Sequence, residues 1–198
     1  PVAVRRLDIV LPDSARVALA SSESQPTVAL SPAGDRLAYV AARGDGTMLM
    51  VRNLAGDSVM ALAGTEGATR PFFSPDGEWI GFFAGNVLRK IPAAGGGSVA
   101  LMQVERVSGA AWVEPDRILV FDTGGFELHT VSASGTRTDS TVHLTTQFGE
   151  PGPLPGGGWV AGELGSGQLA LLEPATGREL AITRRGVLPL DSVRQSDL

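Results

Sequence analysis

Two histidines supply the chain's only imidazoles and there is no cysteine, so any acid–base or metal chemistry must be built from His129, His143 and the 21 carboxylates. A metal centre needs three or four ligands converging from suitable spacings, and neither histidine has such neighbours in sequence. His129 lies in Glu127-Leu128-His129-Thr130-Val131 and His143 in Thr141-Val142-His143-Leu144, both at polar positions between apolar ones. That alternation predicts strands with both imidazoles turned to solvent. The carboxylates are scattered. Asp35, Asp76 and Asp116 recur at a regular interval, which points to a repeated turn rather than to paired acids.

Serine chemistry on a hydrolase elbow requires G-x-S-x-G, and no such run occurs; Gly97-Ser98 and Gly165-Ser166-Gly167 read as hairpin bends. The run Gly165-Ser166-Gly167-Gln168-Leu169-Ala170 matches a dinucleotide fingerprint in form only. That fingerprint works by opening a helix onto a pyrophosphate, whereas here Pro174 follows within one strand length. P-loop and kinase signatures are absent. The expectation is a non-catalytic segment with no catalytic, cofactor-binding or metal-ligating residue. Arg43-Gly44-Asp45 spells an integrin-type tripeptide, but at a bend where Gly and Asp are expected anyway.

A formal charge of −5 and a pI near 5.0 argue against a nucleic-acid surface, which needs a clustered basic stripe. The doublets Arg5-Arg6 and Arg184-Arg185 end apolar runs and read as solvated strand ends. No apolar run approaches the roughly 18 residues of a membrane span, and no signal peptide opens the chain. It begins at Pro1 rather than Met, so a longer parent polypeptide is expected. The lack of cysteine rules out a disulfide framework and fits either side of a membrane.

The elements that would carry these residues follow from a repeat. Four turns, Ser31-Pro32-Ala33-Gly34, Ser74-Pro75-Asp76-Gly77, Glu114-Pro115-Asp116-Arg117 and Leu154-Pro155-Gly156-Gly157, place prolines 43, 40 and 40 residues apart. Around each turn the order of features recurs: a short strand, the turn, an apolar run, a glycine bend, an alternating strand, a second bend and a closing strand. The 26 glycines and 13 prolines fall between short apolar runs, as in a many-turned β protein. Pro32 and Pro75 preset φ for the second position of a type I turn, and Gly34 and Gly77 supply the positive φ at the fourth. Trp79 to Ala84 is apolar on both faces, as a strand is when its sheet is covered on both sides. Four strands in about 40 residues is the period of a propeller blade, and a β-sandwich gives no reason for such a recurrence.

The predicted architecture is an all-β propeller with about four four-stranded antiparallel blades. Residues 1–25 form a lead-in in which Val4 to Leu11 is a candidate blade-closing strand; Ser14 to Ala20 is irregular. The blades span 26–66, 67–106, 107–147 and 148–186, and 187–198 is the start of a next blade or a tail.

The segments Leu30-Ser31-Pro32-Ala33-Gly34-Asp35-Arg36-Leu37-Ala38-Tyr39 and Phe73-Ser74-Pro75-Asp76-Gly77-Glu78-Trp79-Ile80-Gly81-Phe82 resemble the repeat core of TolB-like propellers. The tract Leu62 to Leu101, with Leu88-Arg89-Lys90-Ile91-Pro92-Ala93-Ala94-Gly95-Gly96, is similar to the extracytoplasmic propeller of bacterial serine/threonine protein kinases. The opening Arg6 to Pro12 fits the start of that region. The third repeat departs in having Arg117 for the turn glycine, the fourth lacks the Ser and Asp, and no Trp-Asp dipeptide makes this a strict WD-repeat. The resemblance implies a fragment of a larger propeller of about six to eight blades, a sensor or interaction role in a membrane-anchored kinase, and an extracytoplasmic location. It implies no cofactor and a small-molecule or protein ligand. Two other readings are a TolB-like periplasmic envelope protein and the gating propeller of a prolyl-oligopeptidase-type hydrolase.

Propeller geometry places the loops between second and third strands, and those linking blades, on one rim of the channel. That rim would carry Arg43, Asp45, Glu66, Arg70, Asn86, Arg106, Asp122 and Glu150 as candidate ligand or partner contacts. The turn residues Ser31, Pro32, Gly34, Ser74, Pro75, Asp76, Gly77, Pro115, Asp116 and Pro155 are expected to be structural.

Overall fold

The structure, a computed structural model, describes residues 9, 11–12, 15–18, 27–44, 46–56, 58–135, 138–144, 147–153, 159–163, 169–172 and 179–183. Blade 1 comprises β1 (Val28–Leu30), β2 (Arg36–Arg43), β3 (Gly46–Asn53) and β4 (Val59–Ala61). Blade 2 comprises β5 (Ala68–Phe73), β6 (Trp79–Ala84), β7 (Val87–Pro92) and β8 (Val99–Gln103). Blade 3 comprises β9 (Gly109–Glu114), β10 (Arg117–Asp122), β11 (Glu127–Ser132) and β12 (Thr138–His143). Blade 4 comprises β13 (Phe148–Pro153), β14 (Trp159–Glu163), β15 (Leu169–Leu172) and β16 (Glu179–Thr183). Each blade is a separate four-stranded sheet whose strands lie in chain order, every neighbouring pair antiparallel. The first strands β1, β5, β9 and β13 touch in succession, so the sheets are arrayed about a common axis with those strands innermost. This is the arrangement of propeller blades.

Serine hydroxyls fix the first two hairpins. The Ser74 carbonyl accepts the Gly77 N–H at 2.9 Å, with Gly77 at φ 73°, and the Ser31 carbonyl accepts the Gly34 N–H at 2.8 Å, with Gly34 at φ 69°. These are type I turns closed by a left-handed glycine. Ser74 Oγ accepts the Trp79 N–H at 2.9 Å and donates to Asp76, while Ser31 Oγ accepts the Arg36 N–H at 2.9 Å and donates to Asp35 at 2.7 Å. The hydrogen bond from Ser74, then the Glu78 N–H, hold the Asp76 carboxyl below its usual range; the hydrogen bond from Ser31 does the same for Asp35. The third hairpin is shorter. Arg117 pairs with Glu114 and the register then shifts by a bulge, so no glycine is needed. Asp116 instead reaches across the sheet, accepting from Ser132 Oγ at 3.0 Å and from the Ser134 N–H at 2.8 Å.

Apolar side chains from both faces of the middle strands fill three seams. Val40, Leu49 and Leu62 meet Phe73, Ile80 and Phe82 between blades 1 and 2. Phe83 and Leu88 meet Trp112, Ile118, Val120 and Val131 between blades 2 and 3. Leu119, Phe121 and Leu128 meet Phe148 and Ala170 between blades 3 and 4, with Phe121 stacked on Phe148 at 6.1 Å. Tyr39, Phe82, Phe83 and Phe121 are fully buried. At roughly 1.5–3 kcal/mol for each such side chain, the seams rather than the strand ladders dominate stability.

Two expectations are corrected. His129 is not turned to solvent: it is 8% exposed, because blade 2 covers the face on which the alternation rule places water. The closing strand of blade 3 starts at Thr138 rather than Thr141, since a bulge lets Val131 pair with Thr138 through a polar stretch that carries no apolar alternation. The proposed closing strand Val4 to Leu11 lies outside the described residues apart from Ile9 and Leu11, as do Pro155, Gly165 to Gly167, both arginine doublets and the tail 187–198. In the lead-in it is Val17 that bridges, antiparallel, to Ala41. No helix among the described residues is long and apolar enough to cross a membrane.

Candidate functional site

The rim foreseen from the sequence is best assembled where blades 2 and 3 meet. The Asn86 carbonyl accepts the Val104 N–H at 2.9 Å, fixing the start of the linker between these blades. Asp122, at the end of β10 and 3% exposed, turns its carboxylate onto that linker. It accepts the Glu105 N–H at 2.9 Å and the Arg106 N–H at 2.7 Å. In return the Arg106 carbonyl accepts the Gly124 N–H at 2.8 Å, and the Arg106 guanidinium lies against the face of Gly124 where a Cβ would sit. Arg70, in β5 at φ 51° and almost fully buried, donates from Nη1 to the Ser108 carbonyl at 3.1 Å. Arg70 and Asp122 thus hold the linker in place, so neither offers its charge freely to a ligand. Arg43 and Glu66 are exposed; Asp45 and the Glu150 side chain lie outside the described residues.

A polar cluster that the sequence reading missed lies beneath this rim. The buried His129 places Nδ1 2.9 Å from Thr141 Oγ1, while its Nε2 is 3.3 Å from Glu127 Oε2 and 3.9 Å from Asp122 Oδ2. Glu127 also meets the exposed His143, with Oε1 3.2 Å from Nδ1, and accepts from Thr123 Oγ1 at 3.2 Å. Thr123 sits at φ 49°, an uncommon conformation for a residue with a branched Cβ. His129 Nε2 is buried without hydrogen-bond geometry to any partner among the described residues. The constellation has the outline of a hydroxyl–imidazole–carboxylate relay. However, Thr141 and His129 are directly opposed in the β11–β12 ladder, so their contact pairs two strands of one sheet. It clips strands together. Among the described residues, no group of three His, Asp or Glu side chains could hold a metal ion.

A concave site lies at the opposite mouth of the channel. There the ends of all four inner strands, with the Ser-Pro turns, line an open concavity of about 460 Å³ whose walls include Leu30, Pro32, Phe72, Pro75, Trp112 and Pro151. That volume falls within the range of small-ligand pockets, roughly 300–1,000 Å³. Phe72 is held flat across Gly81, its cross-strand neighbour, where any Cβ would collide with the ring. Trp112 is anchored by its indole N–H, which donates to the Pro115 carbonyl at 3.3 Å. The walls are apolar and carry no titratable side chain, so this pocket can bind but holds no group for proton transfer.

The fold so described is that of a β-propeller, present as four successive blades. No family model matches the chain, and no curated protein does. Solved structures do. The WD40 domain of coronin from Toxoplasma gondii is 14% identical, with a TM-score of 0.64 over 86% of this chain and 47% of that one. A nidogen/laminin complex is 12% identical at a TM-score of 0.65, over 81% of this chain and 63% of that one. The β-propeller domain of the trilobed protease from Pyrococcus furiosus is 14% identical at 0.56, over 81% and 57%. The chain therefore spans between about half and under two thirds of these matched chains, and at these identities the likeness shows the fold alone.

Proposed function

We propose that this chain is a non-catalytic interaction propeller, the ligand-sensing part of a bacterial serine/threonine protein kinase, and that its ligand enters the channel mouth walled by the Ser-Pro turns. The apolar cavity carries this reading: four separate blades contribute to it, and two aromatic side chains are fixed on its wall by contacts of their own. The polar rim is the weaker candidate because Arg70 and Asp122 are engaged in joining blades. The kinase context rests on the resemblance of Leu62 to Leu101, and the extracytoplasmic location comes with it. At 12–14% identity the likenesses to a protease's propeller domain, a WD40 domain and a nidogen/laminin complex bear on the fold alone and weigh neither for nor against the hydrolase-gating alternative.

A neutral apolar fluorophore, N-phenyl-1-naphthylamine, tests the site. Ala110→Phe, which fills the cavity wall, is expected to weaken its binding at least about tenfold, while Arg106→Ala on the rim leaves it unchanged. Equal binding by wild type and Ala110→Phe would remove the channel mouth from consideration. The context is tested in the parent gene. Kinase signatures followed by an apolar span of about 20 residues upstream support the proposal; a downstream G-x-S-x-G run favours the hydrolase alternative.

A further inference from the structure

Two non-glycine residues among those described have positive φ, Arg70 at 51° and Thr123 at 49°, and both sit on the rim where blades 2 and 3 join. Strained backbone persists where its surroundings over-determine it, and it gathers at switch regions. Here the surroundings are ionic. Asp122 and Glu127 are directly opposed in the β10–β11 ladder, and like charges so placed repel. Their ion-pair partners among the described residues are imidazoles: His129 Nε2 approaches both carboxylates, at 3.3 Å from Glu127 and 3.9 Å from Asp122, and His143 Nδ1 lies 3.2 Å from Glu127. An imidazole changes charge between about pH 5 and 8. The His143 side chain is 81% exposed, so water screens it. His129 is buried, with Nδ1 occupied by Thr141 Oγ1 and Nε2 facing the carboxylates without a hydrogen bond. The same carboxylates hold the rim: Asp122 accepts the Glu105 and Arg106 N–H groups of the linker, and Glu127 accepts from Thr123 Oγ1. The other charged groups nearby are the exposed Glu105 and Arg106 on the linker and Arg70 on β5, which is directed to the Ser108 carbonyl. Blade 2 packs on this face with Phe83 and Leu88.

We propose that His129 makes the joint between blades 2 and 3 a proton-operated latch. Protonated on both nitrogens, the ring ties Glu127 to Asp122, and through them the Thr123 turn and the linker stay fixed. Neutral, it leaves the opposed carboxylates to repel. Glu127, whose side chain is 27% exposed against 5% for Asp122, then turns to solvent and releases Thr123. Closing takes up a proton, so the joint is tight at the acid end of the histidine range and loosens as pH rises through it. Burial by itself favours the neutral ring; the carboxylate pair is what opposes it. The latch lies at the rim opposite the channel-mouth concavity and does not depend on a ligand there.

Amide exchange of the chain, followed by mass spectrometry at about pH 5.5 and about pH 8 with the intrinsic pH dependence divided out, tests this. Residues 103–108 and 122–127 are expected to open at least about threefold more often at the higher pH. Residues 62–67, the equivalent linker between blades 1 and 2, contain no histidine and should not change. His143→Ala is expected to keep the difference and His129→Gln to abolish it, with unchanged protection of β6 showing that the fold is intact. Should His129→Gln not fold, the wild-type ring is followed by NMR, where the His129 nitrogen shifts should move to those of an imidazolium in step with the gain in protection. Nitrogen shifts that stay those of a neutral ring down to about pH 5.5, opening that is independent of pH, an equal change at 62–67, or a difference that disappears in His143→Ala would each overturn the proposal.

Discussion

At the scale of single residues, the serine of the Ser-Pro turn does more than the proline beside it. Ser74 is 2% exposed and its hydroxyl serves three backbone or side-chain partners at once: it accepts from Trp79 N–H, lies 3.2 Å from the Trp79 carbonyl and donates to Asp76. Ser74→Ala strands the Trp79 N–H inside the hairpin, at an expected loss of about 1–2 kcal/mol in urea unfolding. The same bond sets a pH dependence of definite sign. The folded-state carboxyl of Asp76 is held below its unfolded value near about 4, so its contribution to stability is present above that value and is lost as pH falls through the folded one. Acid titration of stability in Asp76→Asn should accordingly lose part of the slope seen below about pH 4 in the wild type, whereas an unchanged slope would mean that the hydroxyl does not hold the carboxylate. The role of serine was only partly legible in sequence. Serine, proline and glycine announce a turn and Asp35 and Asp76 recur at its interval, but they sit at different offsets from their serines, and only the structure shows each accepting from the serine hydroxyl of its own hairpin.

At the scale of elements, the middle strands were the most readable because their composition has one explanation. Trp79–Ala84 is apolar on both faces and forms β6 with those bounds, between two seams. The outer strands were harder to read. β12 opens on Thr138-Asp139-Ser140, which no alternation rule selects, and is held by pairing with β11 instead. His129 was misread for a related reason: strict polar–apolar alternation signals a wet face only where the sheet has one, and the inner three strands of a blade between two others are covered where His129 lies. Glycine in β6 is a case where an element depends on its neighbour. Gly81 looks like a weak point in a strand, yet its missing side chain is the space that the Phe72 ring occupies. Gly81→Ala is expected to cost about 1–3 kcal/mol by overpacking. Gly56→Ala, in a turn with open space around it and no positive φ, should be close to neutral in the same urea titration. Similar losses in the two variants would show that the Phe72–Gly81 contact carries no particular strain.

At the scale of the whole molecule, the repeat was visible in the sequence and the site was not. A 40-residue recurrence of turns is enough to infer blades, but the channel-mouth cavity is lined by between one and four apolar residues from each of four strands, together with Pro32 and Pro75, and these groups lie about one repeat apart along the chain. Only the closing of the array about an axis brings Leu30, Phe72, Trp112 and Pro151 to one wall. The same array makes stability unequal across each blade. In blades 2 and 3 the second and third strands are covered by neighbouring blades on both faces, as the burial of Ile80, Phe82 and Phe83 in β6 and of Ile118 to Phe121 in β10 shows, while β4 and β8 are largely exposed. Opening an outer strand uncovers little apolar surface, whereas opening β6 or β10 requires two seams to part. Amide exchange followed by mass spectrometry should therefore rank β6 and β10 as the slowest segments, exchanging only through global unfolding, with β4 and β8 ahead of them by orders of magnitude. Equal protection across the four strands of a blade would instead mean that each blade opens as a unit, and the seams would then have to be weaker than the ladders within the sheets.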